Sequence, residues 1–139
     1  MSSFQSAIQL GAATSLRADA VLTTAYVASS SVDLKSYDSV SVRVAVGAVA
    51  DAARTGNIKF QWSIDDLTWN DEPINVNGTP SGTELHQTPY SRVIDLNLAS
   101  GRMYIERFER LMRYFRVSVK SDAATAATVL IESFKLSNG

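Results

Sequence analysis

The sequence predicts an all-β protein: an antiparallel β-sandwich of the jelly-roll kind, with an N-terminal arm and one long Pro/Gly-rich loop. Three observations lead there. Apolar and polar residues alternate with period two in several separate stretches, the pattern of strands with one buried face. These stretches are short and divided by polar turn residues, as in sandwiches and jelly rolls. The composition, 45% apolar and 19% charged, belongs to a chain that packs a core and excludes bulk disorder. At 139 residues the chain fits a single domain spanning 1–139. A domain of this size buries about 68% of the surface its unfolded form exposes.

In chain order, residues 1–20 are rich in Ala, Ser and Thr and read as an extended arm, although Ser6–Leu10 is also a weak strand candidate. Thr23–Asp33 is a second weak candidate of the same composition. Ser39–Val46 is the clearest strand: Val40, Val42, Val44 and Val46 share one face, with Ser, Arg and Ala on the other. Gly47 then permits a bulge or turn. Phe60, Trp62 and Ile64 alternate with Lys59, Gln61 and Ser63, which predicts another half-buried strand. Residues 73–89 hold all three prolines and Gly78 and Gly82, so they form the long loop, with Asn77-Gly78 as its turn signal.

Further on, Arg92–Leu98 reads as a strand. Phe115, Val117 and Val119 alternate with Arg116, Ser118 and Lys120 and define another. Thr128–Leu136 is the last. There Val129 and Ile131 are out of phase with Phe134 and Leu136, which predicts a bulge near Glu132–Ser133. One stretch departs from period two. Phe108, Leu111, Met112 and Phe115 recur at helical spacing, so Arg107–Leu111 is expected to be a turn or short helical piece.

Composition also narrows function. Without cysteine there is no disulfide framework, thiolate metal site or Cys nucleophile, and the single histidine, His86, excludes a two-His metal motif. A net charge of −1 argues against sequence-independent binding to a phosphate backbone. The first basic residue is Arg17, so a signal peptide of the usual build is not expected. The longest run of small apolar residues, Val44–Ala50, is far short of the ~20 needed to cross a bilayer. A nucleophile elbow and a phosphate-binding glycine loop are both missing, and His86 beside Glu84 is the only material for a Ser-His-Asp arrangement. The expectation is a protein that is not an enzyme and carries no cofactor.

Three features are candidates for a binding role. A hairpin carrying Trp62 and Trp69 would bring the two rings near each other as an aromatic platform for a sugar or a protein partner. The plain alternative makes Trp62, in phase with Phe60, ordinary core. Asp65, Asp66, Asp71 and Glu72 cluster around that hairpin, but their spacing matches no calcium loop, and aspartates suit turns for conformational reasons. Arg102, Arg107, Arg110, Arg113, Arg116 and Lys120 offer either a contact surface for an acidic partner or a solvated face.

Three segments taken together resemble a known family. Tyr37-Asp38-Ser39-Val40-Ser41-Val42-Arg43-Val44 follows the Ala/Ser/Thr-rich start. Gln61-Trp62-Ser63-Ile64-Asp65 comes next, with Trp69 after it, and then Arg113-Tyr114-Phe115-Arg116-Val117-Ser118-Val119. From residue 20 to residue 137 this is similar to the small β-sandwich virion proteins of tailed bacteriophages, above all head decoration (cement) proteins. The Trp62–Trp69 hairpin and the Arg113–Val117 strand also resemble segments in the jelly rolls of carbohydrate-binding modules.

The virion resemblance implies a protein without catalysis that sits on the capsid surface, assembled there in the host cytoplasm as a homo-oligomer, a dimer or trimer. It would reinforce contacts between subunits of the major capsid protein, its partner, with no nucleic acid, membrane or small-molecule substrate involved. Under this reading the contact residues are Phe4, Ile8 and Leu10 of the arm, Trp69, and Arg102, Arg107 and Arg110. Deleting residues 1–15 is then expected to weaken capsid binding with little effect on melting. The alternatives are a carbohydrate-binding module using Trp69 and the acidic hairpin, and a tail or baseplate component.

Overall fold

The computed structural model describes residues 8–47, 49–72, 92–98 and 101–138. Among these residues every regular element is a strand. In chain order they are β1 (Ile8–Val21), β2 (Val27–Ala28), β3 (Val32–Asp33), β4 (Ser39–Val46), β5 (Val49–Ser63), β6 (Asn70–Asp71), β7 (Arg92–Leu98), β8 (Arg102–Glu109), β9 (Tyr114–Ser121) and β10 (Thr128–Asn138). They form two antiparallel sheets packed face to face, a β-sandwich. The first sheet has the order β1-β10-β4-β8. In the second, β2 and β3 both pair with β9, β9 pairs with β5, and β6 and β7 both pair with β5. The pairings are nested: β1 with β10, β2 and β3 with β9, β4 with β8, and β5 with β6 and β7. The chain therefore folds back on itself as one antiparallel ribbon wound over two sheets, which brings Ile8 opposite Asn138.

Alternation decides which side chains fill the space between the sheets. Val40, Val42, Val44 and Val46 point inward from β4, and Ile58, Phe60 and Trp62 from β5. Phe115, Val117 and Val119 meet them from β9, and Val129 and Ile131 from β10. At one end the rings of Phe60, Phe108, Phe115 and Trp62 pack together, with Phe60 and Phe108 centroids 4.6 Å apart and Trp62 and Phe115 centroids 4.8 Å apart. Phe108 lies on β8 and the other three on β5 and β9, so this cluster ties one sheet to the other.

Four expectations are corrected. The alternation in β5 stops at Ser63, and Ile64 is 75% exposed in the following turn rather than core. The cause is local: the Ser63 hydroxyl and Asp65 carboxylate capture the turn's backbone N–H groups. Residues 107–111 contain no helical piece. β8 continues to Glu109 and a turn leads to β9 at Tyr114, so Phe108 and Phe115 reach one core from two sheets, with Met112 packed against it. The bulge near Glu132–Ser133 is absent, because β10 keeps unbroken register with β4 from Val129↔Val46 to Leu136↔Ser39. Ser133 simply continues the buried face of Val129 and Ile131, while Phe134 and Leu136 lie half-buried on the other face. The irregularities fall on β1, which shifts register between Leu10 and Ala13, Ser15 and Arg17, and Arg17 and Ala20. An edge strand has a free side to absorb extra residues, whereas β10 is held on both sides. Finally, Thr23–Asp33 holds only the two-residue strands β2 and β3 instead of one continuous element.

Residues 8–20, read as part of an arm, run in β1 against β10. Phe4 and the loop 73–89, with His86 and Glu84, lie outside the described residues. At Gly47 the chain turns out of β4 with its N–H donating to the Thr128 carbonyl at 2.9 Å, and a Cβ there would sit 2.7 Å from Thr128 Oγ1.

Candidate functional site

Because β5 and β9 turn Phe60, Trp62, Phe115 and Val117 inward, Lys59, Gln61, Arg116 and Lys120 come to the outer face of the second sheet, with Ser118 beneath them. Gln61 is the hub of this face. Its Oε1 accepts from Arg116 Nε at 2.8 Å and from Ser118 Oγ at 2.9 Å, and its Nε2 donates to Asp71 Oδ1 at 2.8 Å. Asp71 Oδ2 in turn lies 3.3 Å from Lys59 Nζ. Aromatic rings close both ends of the network: Arg116 lies over Trp69, and Lys59 and Lys120 both approach the ring of Tyr26. Burial lowers the Arg116 pKa, and the charges of Asp66 and Asp71 oppose that shift.

Trp69 is thus on the outer face, half-buried under Arg116, whereas Trp62 is 1% exposed inside the sandwich. The two rings face opposite sides of one sheet and make no joint platform. Trp62 takes the plain role of core.

The turn between β5 and β6 is tied from within. Ser63 Oγ accepts the N–H of Asp65 and Asp66, and Asp65 Oδ1 accepts those of Leu67 and Thr68, both at 2.9 Å. The Thr68 and Leu67 N–H groups, with help from the Ser63 hydroxyl, hold the Asp65 pKa below the ordinary carboxylate value. Asp66 has φ of 64°, the left-handed conformation that Asp tolerates better than most residues. Two of the four acids are thus engaged in local structure, Asp65 capping the turn and Asp71 pairing with Lys59. Among the described residues no group of three His, Asp or Glu side chains is placed to hold a metal ion. Ile64 and Leu67 stand on this turn, 75% and 82% exposed.

The six cations do not form one surface. Arg102 and Arg107 are on β8 in the first sheet, and Arg110 and Arg113 are in the turn between the sheets. Arg116 and Lys120 are on the outer face of the second sheet. The chain changes sheets at residues 110–113, which separates what lies close in sequence. Arg110 Nη1 donates to the carbonyls of Leu34 and Lys35 at 2.8 and 3.0 Å. Arg113 binds the Asp33 carboxylate through two nitrogens at 3.0 and 2.9 Å, and this hydrogen-bonded pair lowers the Asp33 pKa and raises that of Arg113. Arg107 lies 3.7 Å from Glu109.

The remaining contact candidates are also dispersed. Ile8 and Leu10 lie on β1, opposite Asn138 and Leu136, at one edge of the first sheet, and β8 with Arg102 and Arg107 is the other edge. Sequence reasoning missed Gln61 and Tyr26, whose partners come from other strands. It also missed Met103 and Ile105, which β8 turns outward at 50% and 69% exposure. No period-two signal marked them, because Met103 and Ile105 share a face with Arg107 and Glu109.

No family model matches the chain, and no curated protein matches it. Among solved structures the chain is similar to the crystal structure of PBSX exported protein XepA, with a TM-score of 0.55 and 16% sequence identity. The likeness covers 93% of this chain and 38% of that one, so this chain spans well under half the length of XepA. What the two share at this identity is a fold.

Proposed function

We propose that this chain is a structural protein of a tailed-phage virion that binds the capsid surface and stabilises contacts between major capsid protein subunits. The observation that carries the reading is the likeness, over 93% of the chain, to XepA, a phage-related exported protein. The nested pairing supports a jelly-roll winding, an architecture common in capsid proteins. The use of charge supports an assembly role without catalysis. Asp33, Asp71, Glu106 and Glu132 are each paired with a cation from another part of the chain: Arg113, Lys59, Arg92 and Arg43. Large apolar side chains, by contrast, are held out toward solvent on regular or hydrogen-bonded elements, where they are ready to bury surface against a partner.

The test mixes purified protein with undecorated phage heads and sediments them. Saturable, stoichiometric co-sedimentation is expected. Rings or tubes formed by the protein alone would assign it to the tail or baseplate instead, and a protein that ignores heads and forms neither would overturn the virion reading.

A second reading, carbohydrate binding, is favoured by one observation: Trp69, Arg116, Gln61 and Asp71 lie together on the outer face of a sheet. An affinity gel with a glycan panel tests it, with Trp69→Ala as control. Retention that the substitution abolishes would support this role.

A further inference from the structure

We propose that the free edge of β8 pairs with β8 of a second copy of this chain, antiparallel about a two-fold axis, joining two four-stranded sheets into one of eight strands. An open sheet edge presents unpaired N–H and C=O groups, and proteins normally blunt it with bulges, very short strands, Pro or charged side chains, Lys above all. Most other edges here are blunted: β1 carries three register shifts, and β2, β3 and β6 are two residues each, while the pairing of β7 with β5 is interrupted by extra β5 residues between Ala50 and Thr55. β8 is different. It keeps unbroken register with β4 over eight residues, from Val46↔Arg102 to Ser39↔Glu109, and contains no Pro, Gly or Lys; its charges, Arg102, Glu106, Arg107 and Glu109, are of both signs. Among the described residues nothing pairs with its outer side. It also turns Met103 and Ile105 outward at 50% and 69% exposure.

Charge and polarity select a second copy as the occupant and select its register. Opposed residues in such a pair share a face, so every two-fold register is centred on a residue. Centring on Glu106 sets Glu106 against itself, and centring on Ile105 sets Met103 against Arg107. Centring on Tyr104 sets Met103 against Ile105 of the other copy on the outer face, twice. On the inner face it sets Arg102 against Glu106, also twice, where Glu106 already accepts Arg92. Of these three registers, the one centred on Tyr104 makes β8 complementary to itself. The inference does not rest on the virion role, since it concerns the free protein.

Sedimentation velocity of the full chain over a concentration series tests it. A shift from 15.1 kDa toward twice that mass is expected. Arg102→Glu, which places Glu opposite Glu106 at both ends of the pair, should weaken the dimer about ten-fold. Met103→Cys combined with Ile105→Cys should give a covalent dimer on oxidation, while Ile105→Cys alone should not. A monomer at every concentration would overturn the proposal. So would an oligomer that is indifferent to Arg102→Glu and not captured by the paired cysteines.

Discussion

Arg116 lies over the indole of Trp69, its Cζ 4.2 Å from the ring centroid, while its Nε donates to Gln61. The contact joins the turn between β5 and β6 to the middle of β9. Replacing Arg116 with Ala removes the cation–π contact and one hydrogen bond, and leaves Gln61 Oε1 with Ser118 alone. The expected loss is about 1 kcal/mol in urea unfolding, with a red shift in fluorescence as Trp69 loses its cover. Trp62, inside the core, should keep its blue component.

The Asp65 turn should respond to acid. The folded pKa of Asp65 lies below the ordinary 3.8, so its stabilising contribution is present above that value and fades as pH falls through the lower, folded one. In an NMR titration the amide signals of Leu67 and Thr68 should move with protonation of Asp65. Asp65→Asn should remove that dependence, and unchanged titration in the variant would show that another group is responsible.

Gly56 is buried in β5 between β7 and β9. A Cβ there would lie 2.8 Å from the Lys120 carbonyl oxygen and 3.1 Å from Ile94 Cγ1. Backbone cannot yield as a flexible side chain can, so Gly56→Ala should cost about 1–3 kcal/mol by overpacking. Thermal unfolding checks this directly.

Phe115 is fully buried and touches the rings of Phe60, Trp62 and Phe108. Phe115→Ala should destabilise by about 3–5 kcal/mol, combining lost transfer energy with a cavity. Chemical denaturation should show a lower midpoint with an unchanged slope.

Removal of residues 1–15 now carries a different expectation from the one an arm implies. The deletion strips Ile8–Ser15 from β1 and leaves Phe134 and Leu136 on β10 without strand neighbours on that side. Melting should fall, by roughly 2–4 °C for each kcal/mol lost in a chain of this size. An unchanged melting temperature would mean that this half of β1 adds nothing to the sandwich.

The strands that were legible in sequence are those held between neighbours with one apolar face. Val40 to Val46 and Phe115 to Val119 alternate cleanly because strand parity decides which side chains face the core. The edges were less legible. β1 absorbs extra residues and loses its period, and β8 exposes both Met103 and Arg107 on one face, so apolar and polar no longer sort by side. Local turn chemistry hid the end of β5, where Ile64 continued the alternation but Ser63 and Asp65 had already captured the backbone.

By itself the sequence determined the all-β class and the apolar faces of β4, β5, β9 and β10, because period-two patterning is a local property. Tertiary structure alone decided the nested strand order, the burial of Trp62, the separation of the six cations between β8, the turn at 110–113 and the outer face of the second sheet, and the network that joins Trp69 to Tyr26 through Gln61. Those depend on which strand lies beside which, and alternation carries no information about neighbours.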